Sequence, residues 1–292
     1  MRVTDLWDAE ARPRRVAIGE FDGVHLGHRE VIEGNDTVVT FEPHPLVVVR
    51  PEAAPRLLTG LDVKTELIAS LGVEELVVIR FDQGFAQQSP EEFVDAVLVD
   101  RLGATHVSVG ENFRFGHRAA GDTDLLAGDA RFETRVVPLV EADGEIISSS
   151  RIRALVAGGD VAAAARMLGA PFRMRGEVVH GDHRGRELGF PTANLVPDER
   201  LVYPGHGVYA CRVGEAAAAV NVGVRPTFGT GRAVLVEAYL LDFSGELYGQ
   251  ALTIEFLARL RGERRFASVD ALVEQMQLDV ERTRELLPSA RQ

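Results

Sequence analysis

The sequence predicts an α/β half built on a parallel, doubly wound sheet, followed by a small antiparallel β-barrel with a C-terminal helix. Three observations predict it. Up to residue 169, short β-rich runs alternate with helical patterns, an order that lays strands parallel and covers the sheet with helices. From Pro171 to Arg259, strand-like runs separated by Gly, Pro and Asp follow one another with no good helix between them, the pattern of a small barrel. The 292 residues exceed one ordinary core and suit two domains, divided at this change of pattern into 1–169 and 170–292.

The elements follow in order. Arg14–Ile18 is the first strand expected, then Thr37–Phe41, Leu76–Phe81, Thr105–Val109 and Thr134–Val140. Leu61–Leu71 sets Leu61, the Lys64 stem, Leu67, Ile68 and Leu71 at helical spacing, and Gly72 ends it. Ser89-Pro-Glu-Glu92 is a capping box with Pro at the first helical position, and Gly103 is the stop signal. Two short helices, Ser149–Ala157 and Val161–Leu168, close this half. The barrel strands expected are Arg175–Val179, Gly207–Val213, Ala217–Val222, Val234–Asp242 and Leu252–Phe256. Ser268 then caps a last helix whose Val269, Leu272, Val273, Met276 and Val280 form one apolar stripe, assigned to packing.

Composition narrows the function classes. Hydrophobic residues at 46% and charged residues at 26% belong to a folded globular protein. The 44 acidic residues against 32 Lys and Arg leave a charge of −12, which argues against nucleic acid as a partner because few phosphate counterions could be released. A local Arg/His pocket can still hold a small anion. The single cysteine, Cys211, excludes an intramolecular disulfide and a thiol metal cluster, and reads as a small buried apolar residue. The N-terminus has no apolar signal core and no run approaches about 18 apolar residues, so the expectation is a cytoplasmic protein without a membrane partner.

Chemistry concentrates in a few stretches. Gly19-Glu-Phe21-Asp-Gly-Val-His25-Leu-Gly27-His28 follows the first strand and enters a helix, where open α/β sheets hold ligands and helix amides favour phosphate. Gly23 and Gly27 permit close backbone approach, and two imidazoles could donate to phosphate oxygens as charge develops. Packing or weak metal binding is the alternative for the His pair. In the second half, Gly181-Asp-His-Arg184-Gly185-Arg186 can wrap phosphates with backbone amides. Thr192 and Asn194 of the following Pro-Thr-Ala-Asn offer neutral oxygens suited to Mg²⁺ when water and phosphates complete its shell, or else form an ordinary turn. Glu237 shares a strand face with Leu235, Tyr239 and Leu241; a carboxylate in an apolar row needs a partner, unless it is an edge residue facing solvent.

GEFDGVHLGH at 19–28, TFEPHP at 40–45, GENFRFG at 110–116 and ISSSRIR at 147–153 resemble the FAD synthetase branch of the nucleotidyltransferases. The segment 181–195, with GVYA at 207–210, NVGVRPTF at 221–228 and LYG at 247–249, resembles riboflavin kinases. Together they resemble the bifunctional riboflavin kinase/FAD synthetase family across nearly the whole chain.

That resemblance implies a Rossmann-like nucleotidyltransferase domain ahead of a kinase barrel, with ATP as co-substrate, Mg²⁺ as cofactor, and riboflavin, FMN, FAD and ATP/ADP as ligands. It implies catalytic roles for His25, His28 and Glu237. ATP and phosphate contacts would come from Gly19, Phe21, Gly27, Asn112, Ser149, Ser150, Arg153, Gly181, Arg184, Gly185 and Arg186, flavin contacts from Pro43, His44, Asn221 and Arg225, and metal contacts from Thr192 and Asn194. The assembly expected is a monomer or weak homo-oligomer.

Some alternatives stay open. Pro43 and Pro45 could only stiffen a loop, Ser148–Ser150 could only cap a helix, and Arg259, Arg261, Arg264 and Arg265 read as a solvated face or barrel-closing ion pairs. One departure stands out: only eleven residues, Arg29–Val39, separate His28 from Thr40. A parallel crossover needs about ten to twelve, so its helix can have two turns or fewer. A kinase with a degenerate adenylyltransferase domain, or a flavin-binding protein without turnover, are the rival readings.

Overall fold

The computed structural model describes residues 1–180, 190–227 and 231–287. The chain separates into two compact units, Met1–Ser149 and Ser150–Gln292.

The first unit is built on a six-stranded parallel sheet: β1 (Arg2–Asp5), β2 (Arg14–Ile18), β3 (Thr37–Glu42), β4 (Glu75–Arg80), β5 (Ala104–Gly110) and β6 (Glu133–Val137), in the order β1-β4-β3-β2-β5-β6. Five of the six lie where the apolar runs predicted them. The sixth, β1, has no apolar alternation and is held by its pairing with β4. Val16, Ile18, Val39, Val77, Ile79, Val107 and Val109 are buried on one face of the sheet. Ala17, Val38 and Leu76 are buried on the other. Helices cover both faces: α1 (Leu26–Ile32), α2 (Pro45–Val49), α3 (Leu61–Ala69), α4 (Pro90–Glu92, running on as a wider turn through Phe93–Arg101) and α5 (Thr123–Ala127). The capping box at Ser89 is present as expected, with Glu92 N donating to Ser89 Oγ at 3.1 Å and Ser89 N to Glu92 at 2.7 Å. α1 has seven residues, about two turns, as its short crossover allows. The run expected through Val140 leaves the sheet at Val137, and β7 (Glu141–Ala142) and β8 (Glu145–Ile146) then make a small hairpin.

At the amino ends of the strands Arg14 and Glu75 are both buried, with Arg14 Nη2 3.1 Å from Glu75 and Nη1 donating to the carbonyls of Glu10 and Leu102. Arg2 and Arg12 reach the same carboxylate at 3.0 Å. Burial pushes the Glu75 carboxyl up. Arg14, with hydrogen bonds from Arg2, Arg14 and Thr4, outweighs that and holds it below its ordinary value.

The second unit begins with α6 (Ser149–Gly158, whose first residue belongs to the first unit) and α7 (Val161–Leu168). α7 packs its buried Val161, Ala164, Met167 and Leu168 on the barrel strands β9 (Phe172–Val179) and β14 (Ala251–Arg261). The barrel closes in the order β10-β13-β12-β11-β14-β9, with β10 (Ala193–Pro197), β11 (Gly207–Val213), β12 (Ala216–Thr227) and β13 (Gly231–Leu240). β10 was not among the expected strands. It is short, ends on Pro197, and owes its place to ladders with β13 and β9 on either side.

The last helix, α8 (Val269–Leu286), is capped by Ser268 Oγ as predicted. Val269 is 59% exposed, and Leu272, Val273, Met276 and Val280 are only half-buried. The buried positions are Asp279 and Thr283. Arg261 at the end of β14 grips Asp279 with Nε at 3.0 Å and Nη2 at 2.8 Å, and Gln275 adds a bond at 2.9 Å. A bidentate ion pair thus ties the helix to the end of β14. Cys211 is buried as expected, and burial pushes its thiol well up.

Candidate active sites

Strand order in the first sheet reverses between β2 and β5, and the crevice beyond their carboxyl ends is where such sheets take ligands. The turn joining β2 to α1 lies there. Phe21 and Val24 both adopt left-handed backbone conformations, φ 50° and 44°. For residues with a Cβ this costs on the order of 1–3 kcal/mol each and persists only where the surroundings impose it.

The surroundings do so at several points. The Asp22 carboxylate, 2% exposed, accepts the amides of Leu58 at 2.8 Å and Thr59 at 3.1 Å. Gly23 N donates to Thr59 Oγ1 at 3.1 Å, and Ser149 Oγ donates to the carbonyl of Asp22 at 3.0 Å. The Glu20 carbonyl accepts both Lys64 Nζ at 2.7 Å and Thr40 Oγ1 at 3.1 Å. Asp22, Thr59 and Lys64 were not singled out as site residues. Only a polar residue at an otherwise core-facing helical position, Lys64 in the Leu61–Leu71 pattern, could have signalled one of them.

His25 caps α1, its Nδ1 accepting the amide of His28 at 3.2 Å. An accepting Nδ1 carries no proton, so the neutral ring holds its proton on Nε2 and can offer it as a donor. The His25 and His28 rings stack at 3.4 Å with a 17° interplanar angle, and Phe21 meets His28 edge-on at 5.4 Å. A Cβ at Gly27 would lie 3.3 Å from His25 Cε1, and one at Gly19 3.1 Å from the Phe21 ring, so both glycines make room for this stack. His44 repeats the device at the end of β3: it caps α2, with Nδ1 accepting the amide of Leu46 at 3.1 Å, directly after Pro43. Asn112 is exposed just past the end of β5, in a turn closed by Phe113 N to Gly110 O at 2.9 Å.

Gly19, Phe21, His25, Gly27, His28 and Ser149 are thus brought together, with Pro43, His44 and Asn112 on the same carboxyl edge of the sheet. Ser150 and Arg153, on the first turn of α6, belong to the second unit, where Arg153 Nη1 lies 3.3 Å from Ser150 Oγ.

In the barrel, Glu237 sits at the middle of β13 with a strand on each side, so it is not an edge residue. Its cross-strand neighbours are Asn194 on β10 and Asn221 on β12. Asn221 Nδ2 donates to Glu237 Oε2 at 3.3 Å. Next along the same face Tyr239 packs edge-on against Phe190, ring centres 5.3 Å apart. The half-buried Thr192 immediately precedes β10. The row is therefore amide, carboxylate, amide, and the partner a carboxylate needs in an apolar strand comes from the neighbouring strand. Among the described residues no three His, Cys, Asp or Glu side chains are grouped to hold a metal. Arg225 lies on β12 opposite Ala233. Gly181, Arg184, Gly185 and Arg186 fall outside the described residues.

A doubly wound sheet with a histidine turn at its switch point, joined in one chain to a closed barrel bearing a carboxylate between two amides, defines a two-unit nucleotide-dependent transferase class. Residues 8–151 match the family model for FAD synthetase and residues 168–287 that for riboflavin kinase. The bifunctional riboflavin kinase/FMN adenylyltransferase of Listeria monocytogenes is 39% identical over 92% of this chain and 91% of its own length. The corresponding protein of Pseudomonas fluorescens is 41% identical over 94% and 93%. This chain belongs to the bifunctional riboflavin kinase/FMN adenylyltransferase family. Its fold also matches a solved Streptococcus pneumoniae structure, described as a macrolide-efflux protein, with TM-score 0.87 and 31% identity over 97% of this chain and 99% of that one. Among the described residues of this chain, no helix is long and apolar enough to cross a membrane.

Proposed function

We propose that the barrel unit phosphorylates riboflavin to FMN with ATP and that the parallel-sheet unit adenylylates FMN with a second ATP, giving FAD and pyrophosphate. The observation that carries this reading is that the chain is 39–41% identical over at least nine tenths of its length to proteins with both activities in their names, with the histidine turn of the first unit and the Asn194–Glu237–Asn221 row of the barrel each on its own scaffold.

In the kinase reaction the ribityl 5′-hydroxyl attacks the γ-phosphorus of ATP and ADP leaves. Glu237 takes the hydroxyl proton, and its hydrogen bond from Asn221 fixes which way the carboxylate faces. Asn221 and Arg225 line the flavin side, and the 181–189 segment carries the phosphate contacts. The neutral oxygens of Thr192 and Asn194, beside one carboxylate, fit Mg²⁺ that draws most of its ligands from water and ATP. When bound, the ion neutralises phosphate charge.

In the adenylyl transfer an FMN phosphate oxygen attacks the α-phosphorus of ATP and pyrophosphate leaves, with no covalent enzyme intermediate. His25 Nε2–H and the His28 ring donate to the phosphate oxygens where charge builds up. Pro43 and His44 face the flavin. Gly19, Phe21, Gly27, Asn112 and Ser149 hold the nucleotide. The functional division lies at 169/170, and the protein works in the cytoplasm as a monomer or weak homo-oligomer with no nucleic-acid or membrane partner.

Two separate assays test the reading. Riboflavin with Mg-ATP should give FMN and ADP, and FMN with Mg-ATP should give FAD and pyrophosphate. FMN formation without any FAD would favour the kinase-only reading. Flavin binding without turnover in either assay would reduce the protein to a carrier.

A further inference from the structure

We propose that Lys64 is a positioning residue for adenylyl transfer, holding the β2–α1 turn from beneath so that the His25/His28 stack stays where phosphate charge develops. The inference rests on the adenylyltransferase reading of that turn. Lys64 lies on α3, in a helical pattern whose other inward positions are apolar, and is 3% exposed. A buried ammonium is costly unless its hydrogen bonds are made, and packing alone would be served by Leu or Met.

Its contacts all converge on one point. Nζ donates to the Glu20 carbonyl at 2.7 Å, lies 3.4 Å from Thr40 Oγ1, and stands 3.9 Å from the Glu20 carboxylate. Thr40 donates to the same carbonyl. Glu20 immediately precedes Phe21, the first of the two left-handed residues, and Phe21 in turn packs against His28. The chain of contacts runs from Lys64 to the Glu20 carbonyl, through the Phe21 backbone, to the imidazole stack. Asp22 and Thr59 clamp the next residues, and Lys64 and Thr40 both hold the Glu20 carbonyl. Without the ammonium, Phe21 can relax out of its strained conformation and take the His28 ring with it. Lys64 does this without touching substrate.

The test compares the full-length wild type with Lys64→Met and Lys64→Arg. Each is assayed for FMN adenylylation and for riboflavin phosphorylation, and each is examined by long-range ¹H–¹⁵N spectra of its imidazoles. In Lys64→Met, adenylylation kcat should fall roughly 10–100-fold, the loss expected for a misplaced catalytic group, while riboflavin phosphorylation is unchanged. The His25 signal should move from the Nε2–H tautomer toward a tautomer mixture as its cap loosens. Lys64→Arg, which keeps the charge and a donor, should recover part of both. A folded Lys64→Met with wild-type kcat, or with an unmoved His25 signal, overturns the proposal. If Lys64→Met does not fold, Thr40→Val removes the second donor to the same carbonyl and should move the same two readouts in the same direction; no movement there also overturns it. A wild type that makes no FAD refutes the adenylyltransferase reading alone, since the tautomer signal still reports on the turn.

Discussion

Replacing Glu237 by Gln separates basicity from shape. The side chain is half-buried in the middle of β13, and its observed hydrogen bond is the one accepted from Asn221 at 3.3 Å. Gln keeps an oxygen able to accept that bond and the same volume against Asn194 and Asn221, so the fold should lose no more than about 1 kcal/mol, the worth of one ordinary hydrogen bond. What it loses is the ability to take a proton. General-base catalysis contributes about 10²–10⁴-fold, or roughly 3–5.5 kcal/mol of barrier. Stopped time points of riboflavin with Mg-ATP, resolved by chromatography, should therefore show FMN formation down by that factor. FAD formation from supplied FMN and the melting temperature should stay close to wild type. A folded variant whose kinase turnover stays within a few-fold of wild type would remove Glu237 from the mechanism. A variant that unfolds would show instead that the carboxylate is needed for barrel closure.

The other expectations concern the first unit and the boundary. His28→Ala should slow FMN adenylylation about 10²–10³-fold by removing one preorganised donor, leaving riboflavin phosphorylation untouched; equal activity in both assays would mean the phosphate is held elsewhere. Glu75→Gln strands the buried Arg14 guanidinium and should cost about 3–5 kcal/mol in denaturant melts at neutral pH. Because the folded Glu75 carboxyl lies below its ordinary 4.5, its contribution is complete above pH 4.5 and is lost as the pH falls through the lower folded value; the wild type should show that acid loss and Glu75→Gln should lack it. Fragments 150–292 and 170–292 should both phosphorylate riboflavin without making FAD. The shorter one should melt earlier because it lacks α7, with its buried Val161, Ala164, Met167 and Leu168; equal melting temperatures would mean that α7 adds nothing to the barrel.

The inner strands of the parallel sheet were legible because burial on both faces leaves continuous apolar runs such as Val16–Ile18 and Val77–Ile79. β1 and β10 were not, because Arg2–Asp5 and Ala193–Pro197 owe their strand state to partners distant in sequence rather than to their own pattern. For the last helix, periodicity found the span and the cap but not the ion pair that adds to its seat, since Arg261 and Asp279 lie 18 residues apart and no local pattern connects them. The site residues that announce themselves are those in dense motifs, His25, His28, Thr192 and Asn194. Glu237 could be suspected from its apolar strand, yet its flanking by Asn194 and Asn221 required the barrel register. Of the anchors beneath the first turn, Lys64 shows only as a polar residue in an apolar helical row, while Asp22 and Thr59 act through backbone amides, which leave no mark in the sequence.

The central claim is that one chain carries riboflavin through FMN to FAD. A single time course of purified protein with riboflavin and excess Mg-ATP, with all three flavins resolved, tests it most directly. The account predicts that FMN rises first and then falls as FAD accumulates, with one ADP and one pyrophosphate released per FAD. FMN that accumulates to completion with no FAD, at high enzyme and with active kinase, would contradict it.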